Sequence, residues 1–304
     1  MLPRPLLILI FIYVSIHSFG QTNVIVLGTA QDGGYPHMGC QRNCCALAYE
    51  QDSLKQFVVS LALADFENKK WWLFEATPDI KEQLHLFAEY TQHQFKFLPE
   101  GIFLTHAHIG HYTGLIQLGK EVMNAASIPV YTLPRLKKFL ETNGPWSQLV
   151  NLKNISLTEL KEDTPYEFPG NISVTAFHVP HRDEFSETAG FKMITKEKRY
   201  LFIPDIDKWS KWNKDIVKEV KAVDEAYLDA TFYSSDELPN RKMSEVPHPL
   251  VSETIDLFKS ESRGIKGKIH FIHFNHTNPL LFDINNQKIV KDLGFQLTRQ
   301  AGIH

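Results

Sequence analysis

The sequence predicts an α/β protein, one domain with mixed sheets and outer helices. Three observations lead there. Short β-branched runs recur along the chain, with helical patterns between several of them. No internal repeat, low-complexity tract or Pro/Ser linker divides the chain. The residues best suited to chemistry fall just after predicted strands, where an α/β fold builds a site on one edge of its sheets. With 304 residues, 43% hydrophobic and 22% charged, there is enough material for a large core. That composition excludes a long disordered chain, a coiled coil and a collagen-like fibre. A net charge of −3 provides no basic excess for nucleic acid and no acidic tail for a basic partner. Three cysteines are too few for a disulfide scaffold.

Residues 1–20 stand apart. Arg4 precedes a compact apolar run, Leu6 to Val14, and small or polar residues follow at Ser15, Ser18 and Gly20. That order describes a secretory signal peptide, with the mature domain (21–304) starting near Gln21 and a periplasmic or secreted location; a buried N-terminal helix or an uncleaved anchor is the alternative. A spanning helix needs about 20 apolar residues, so neither this run nor any other predicts a membrane span in the mature chain.

Asn23–Leu27 alternates and reads as a first strand, running into a loop with Gly28, Gly33, Gly34, Pro36 and Gly39. Phe57–Leu63 and Trp71–Phe74 read as a hairpin around Glu67–Lys70. Pro78–Tyr90 is helical, with Ile80, Leu84, Phe87 and Ala88 on one face. Ile102–Leu104 is a short buried strand. A helix near Tyr112–Met123, a strand at Ile128–Tyr131 and a helix from Pro134 follow. Further strands are predicted at Ile172–Phe177, Phe191–Thr195, Tyr200–Ile203, Ala226–Leu228 and Lys268–Ile272, with helices at Lys208–Val220 and Pro249–Phe258.

The sharpest signal is Thr105-His106-Ala107-His108-Ile109-Gly110-His111, directly after a predicted strand. Neutral imidazole is a good zinc ligand. His106 and His108, at alternate positions, can turn toward one point, and His111 approaches from the helix that follows. His181, Asp205, His273 and His276 also follow predicted strands. His178 lies on a strand and reads as a packed or supporting residue.

Thr-His-x-His-x-x-His with Gly114-Leu115 beyond it resembles the metallo-β-lactamase superfamily. The fuller pattern is similar to its coenzyme PQQ biosynthesis protein B branch. It is carried by residues 27–34 (LGTAQDGG), 180–184 (PHRDE), 229–232 (DATF) and 273–279 (HFNHTNP), and it spans nearly the whole mature chain. The resemblance implies a single αββα sandwich with metals at the sheet edge. It assigns His106, His108 and His181 to one metal, Asp205 to a bridge, and His111 and His273 to a second metal. The superfamily usually has Asp where this chain has Gly110, so the second site keeps at most His111, Asp205 and His273 and is expected to be weak. Asp32, in the Gly-rich loop, is a carboxylate that could compensate. On this reading Gly110→Asp should raise occupancy of the second site.

Cys40, Cys44 and Cys45 lie within six residues and can bind zinc with one further ligand. Related phosphodiesterases of the superfamily resemble this chain here and supply a His at the position of His276. A disulfide from Cys40 to Cys44 or Cys45 is the alternative. The cofactors expected are therefore one catalytic zinc, a weaker second ion and one structural zinc.

The function expected is metal-dependent hydrolysis of a small ester, lactone, lactam or phosphodiester. Asp205 would orient the water, and His248, before a helix, reads either as the proton donor to the leaving group, as the likeness to related nucleases implies, or as a surface residue at a helix start. Arg182, Asp183 and Glu184 follow His181 and read either as support and substrate contacts or as a solvated loop. The rivals are a non-catalytic PQQ-related binding or transport protein retaining a metal site, and an iron-dependent oxygenase on the same fold.

Overall fold

The computed structural model describes residues 22–238, 242 and 245–301. The expected signal peptide lies outside them. Two sheets face each other. The first has six strands in chain order: β1 (Thr22–Gly28), β2 (Ser60–Asp65), β3 (Lys70–Phe74), β4 (Gly101–Phe103), β5 (Ile128–Thr132) and β6 (Ile155–Glu159). The second has seven: β7 (Tyr166–Phe168), β8 (Ile172–Val179), β9 (Thr188–Ile194), β10 (Arg199–Ile203), β11 (Glu225–Asp229), β12 (Ile269–Ile272) and β13 (Gln296–Leu297). Each begins as an antiparallel meander and continues as parallel strands: antiparallel through β3 in the first and through β10 in the second. The sequence shows no repeat, yet the two halves repeat one topology.

Both faces of each sheet are covered, so the strands read as apolar on both sides. In β3, Trp72 and Phe74 point between the sheets, while Trp71 and Leu73 face the outer helices. In β10, Tyr200 and Phe202 point inward, and Leu201 and Ile203 outward. Helices α2 (Ile80–Tyr90), α4 (Pro134–Thr142) and α5 (Trp146–Asn151) cover the first sheet. Helices α6 (Ile216–Lys221), α7 (Val251–Leu257), the short α8 (Arg263–Lys266) and α9 (Ile284–Asp292) cover the second. This is the αββα order. Phe74 ties the middle layers together: its ring centroid lies 4.8 Å from Phe103 in its own sheet, and 5.5 and 6.2 Å from Phe191 and Phe202 across the interface.

Several expected elements change. The helix expected near Tyr112–Met123 is one α-turn, α3 (Ile109–Tyr112), then a 3-10 segment, Thr113–Leu118. The cause is Gly114, which donates its N–H to the Ala76 carbonyl; a Cβ there would lie 2.0 Å from the Thr77 carbonyl. The chain is pinned to the loop after β3 and cannot wind freely. The helix expected over Lys208–Val220 is a 3-10 turn, Trp209–Lys211, and then α6, because Asp215 caps the N–H groups of Val217 and Lys218 and starts a new helix. The Cys-bearing part of the Gly-rich loop contains a helix, α1 (Asn43–Glu50). Strands β6, β7 and β13 and helices α5 and α9 were not among the expected elements. Among the described residues no helix is long and apolar enough to cross a membrane.

Phe74→Ala should remove packing from both sheets at once and cost about 3–5 kcal/mol. Urea unfolding followed by circular dichroism measures it. A loss below about 1 kcal/mol would show that Phe74 does not join the two sheets.

Candidate metal centre

All the site residues leave the sheets at one end. β1 and β3 run the same way as β4, and β8 runs the same way as β10, β11 and β12. Their C-terminal ends deliver Asp32 after β1, Glu75 after β3, His106 and His108 after β4, His181 after β8, Asp205 after β10, Asp229 at the end of β11 and His273 after β12. The two edges are stitched together by a backbone bridge between Ala30 and Phe274, and by the Ala189 N–H donating to the Thr105 carbonyl at 3.0 Å.

The first donor set is His106, His108, His181 and Asp205. Asp205 Oδ2 lies 3.4 Å from His106 Nε2 and 3.2 Å from His181 Nε2. His108 Nδ1 lies 3.3 Å from His181 Nε2 and 2.8 Å from His106 Nε2. Four donors on a tetrahedron about 2.0–2.1 Å from zinc stand about 3.3–3.4 Å apart, so three of these four edges match and the fourth is short. The second set is Asp32, His111 and His273. Asp32 Oδ1 lies 3.4 Å from His111 Nε2, and Asp205 Oδ2 lies 3.9 Å from that same nitrogen. Asp205 therefore stands between the two sets. Asp32 Oδ1, His111 Nε2 and His273 Nε2 are buried without a hydrogen-bond partner, the pattern a bound cation would satisfy.

Surrounding groups set the histidine tautomers. Thr231 Oγ1 donates its proton to Asp229 Oδ1 at 2.7 Å, so it accepts from His273 Nδ1 at 2.9 Å and leaves His273 Nε2 bare. His111 Nδ1 faces Glu75 Oε1 as an ion pair at 3.4 Å and Thr105 Oγ1 at 3.5 Å, which leaves Nε2 on the side of the site. Glu184 Oε2 accepts from His108 Nε2 at 2.9 Å and turns Nδ1 inward. Such partners orient ligating imidazoles and raise their basicity. Burial, reinforced by the His111 charge, holds the His106 ring well below the usual imidazole range and keeps it neutral. Burial works against a charge on His111, but Glu75 and Asp32 outweigh it and push that ring up to about 10. Those carboxylates favour a cation in the pocket.

Sequence reasoning missed Glu75 and undervalued Asp229. Each is a single acid at a strand end, with no spacing to mark it. Asp229 is saturated: it accepts from Ile206 N, Thr231 N, Thr231 Oγ1 and His248 Nδ1. It is therefore a support for His248 and His273, although the four residues Asp205, Asp229, His248 and His273 are close enough to hold an ion. His248 sits beside the cluster, its Nδ1 2.9 Å from Asp229 and 3.1 Å from Asp205 Oδ1. Burial opposes its charge, and the two aspartates push it up to about 10. His248, His273 and Glu75 all have positive φ, at 78, 66 and 74°, a conformation non-glycine residues hold only where surrounding structure enforces it. His178 lies outside the cluster, paired with Asp183 at 3.3 Å. Arg182 is exposed and its guanidinium lies 3.8 Å from Glu184 Oε1.

The expectation that Gly110→Asp would restore the second site fails on geometry. A Cβ at residue 110 would lie 2.2 Å from Asp32 Oδ1 and 2.7 Å from Asp32 Cα. There is no room for a side chain there.

A separate group joins Cys40, Cys44 and Cys45 to His276. Helix α1 carries two of the thiols and the loop after β12 carries the imidazole. All three thiols are free. The Sγ atoms of Cys40 and Cys44 are 3.7 Å apart, and His276 Nδ1 lies 3.8 and 3.5 Å from Cys44 and Cys45. Tetrahedral zinc bound by thiolate and imidazole requires about 3.8 Å between sulfurs and about 3.6 Å from sulfur to nitrogen.

Asp229→Asn should disturb the protons on both His248 and His273 and weaken active-site metal binding about 10–100-fold. Competition with a chromophoric chelator measures this, and an unchanged affinity would remove Asp229 from the support of the site.

A family model described as the beta-lactamase superfamily domain matches residues 70–274. Coenzyme PQQ synthesis protein B of Rhizobium meliloti (strain 1021) is 22% identical over 297 residues, covering 90% of this chain and 94% of that protein. The crystal structure of zinc-bound PqqB from Methylobacterium extorquens superposes with a TM-score of 0.75 at 21% identity, covering 91% of this chain and 98% of that one. A diphosphatase from the PhnP family follows, with a TM-score of 0.65 at 17% identity over 92% of this chain and 95% of that one. At these identities the structural likeness establishes the fold. The chain belongs to the β-lactamase superfamily, and within it resembles coenzyme PQQ synthesis protein B.

Proposed function

We propose that this protein is an exported metal-dependent hydrolase, with zinc as its ion, acting on a small ester, lactone, lactam or phosphodiester. The observation that carries this reading is the first donor set: His106 Nε2, His108 Nδ1, His181 Nε2 and Asp205 Oδ2 converge, with three of their four measured separations at tetrahedral spacing and the His106–His108 one shorter. Zinc held there would act as a Lewis acid on the substrate oxygen and bring the pKa of water to about 7. Asp205, close to both donor sets, holds them in register and orients the attacking water through its carboxylate. His248 is placed to give a proton to the departing oxygen, with Asp229 fixing its Nδ1 side. His108 and Glu184, the more exposed members, mark the side from which substrate enters. The Cys40, Cys44, Cys45 and His276 group holds a structural zinc that ties α1 to the loop after β12. Export rests on the apolar run after Arg4.

A second reading, a binding or transport protein for a PQQ-related compound, is favoured by the full-length likeness to PQQ synthesis protein B. Metal-dependent turnover separates the two. The hydrolase reading expects the zinc-loaded protein to cleave a chromogenic ester or bis(p-nitrophenyl) phosphate. His106→Ala should lose active-site metal and at least about 100-fold in rate, as expected when the group that activates water is lost. Tight, metal-dependent ligand binding without turnover would support the carrier instead.

Cys45→Ser should lose the structural equivalent of zinc and lower the melting temperature, because metal binding at such a site is coupled to folding. Metal content and differential scanning calorimetry check this together. An unchanged melting temperature would remove the structural role.

A further inference from the structure

Gly110 and Asp32 are 78 positions apart in sequence and compete for one space. A Cβ on residue 110 would overlap the Asp32 carboxylate, at 2.2 Å from Oδ1 and 3.1 Å from Cγ. Asp32 is therefore where a side chain from α3 would otherwise project. Its Oδ1 has no hydrogen-bond partner, and neither has His111 Nε2, 3.4 Å away, nor His273 Nε2. His111 and His273 are both fully buried. Their outer nitrogens face Glu75 and Thr105 on His111 and Thr231 on His273, and the unpartnered inner nitrogens are free to bind a cation.

We infer that Asp32 is the carboxylate ligand of a second active-site cation, together with His111, His273 and the shared Asp205. The carboxylate has moved from the helix to the loop after β1, and Gly110 is the residue that makes room for it. The second site is then complete, with three donors of its own, and not the depleted site that the sequence at residue 110 alone suggests. Asp32 reaches it because the bridge from Ala30 to Phe274 fastens its loop beside the strand end that carries His273. A divalent zinc-class ion suits two imidazoles and two carboxylates. The inference rests on the metal reading above and extends it to a two-ion centre.

The test counts metal and does not depend on turnover. The full chain is loaded with zinc, desalted and measured by inductively coupled plasma mass spectrometry. Asp32→Asn keeps the shape and removes the charge, and it should hold one equivalent less than the unmutated protein. Gly110→Ala changes no charge at all, yet should lose the same equivalent by displacing Asp32. Melting curves confirm that each variant is folded, and His106→Ala reports on the first site. If folded Asp32→Asn keeps the full complement while His273→Ala loses an ion, Asp32 is not a ligand and this inference alone fails. If the unmutated protein retains zinc only at the cysteines, the metal-hydrolase reading fails and this inference falls with it.

Discussion

The site is organised around one buried carboxylate. Asp205 lies 3.1–3.9 Å from the imidazoles of His106, His111, His181 and His248, and almost none of its side chain reaches solvent. An ionised carboxylate taken out of water costs several kcal/mol unless it is paired. Burial pushes the Asp205 carboxyl toward neutrality, while the His181 and His248 charges hold it well below the usual range. The imidazoles that balance it come from the first sheet (His106 and His111) and the second (His181 and His248), so the site is complete only where the two sheets meet.

The topology explains how distant residues come together. In each half the strands that bring functional groups share a direction, and the loops at their C-terminal ends fall on one edge. Residues that enter the site directly are supported by others from neighbouring strand ends: Glu75 behind His111, Thr231 and Asp229 behind His273 and His248, Glu184 behind His108. Positive φ at Glu75, His248 and His273 shows how tightly the backbone is held at this edge. Binding energy for an ion is stored in that preorganisation, since the donors need not be collected when it arrives.

Much of this was legible in the sequence where the signal is local. Three histidines in six residues after an apolar run announce a metal site, and His181, Asp205 and His273 stand out because each follows a strand. The layered architecture followed from the resemblance, and the strand pattern agreed with it. What could not be read depends on tertiary contact. Glu75 and Asp229 are isolated acids whose partners arrive from other strands. The loss of helix at Gly114 comes from a carbonyl pressed against it from residue 77. Helix α1 was hidden because cysteines and glycines nearby read as a loop. The relation between Gly110 and Asp32 is the clearest case: one residue looks like a defect and the other an unassigned acid until the space between them is measured.

The central claim is that strand ends from both sheets hold a cation centre around Asp205. Anomalous X-ray scattering from crystals grown with zinc, recorded on both sides of the zinc edge, tests it most directly. One peak is expected among His106, His108, His181 and Asp205, a second among Asp32, His111, His273 and Asp205, and a third at Cys40, Cys44, Cys45 and His276. A map with no peak beside Asp205, and the imidazoles joined only to carboxylates and water, would contradict it.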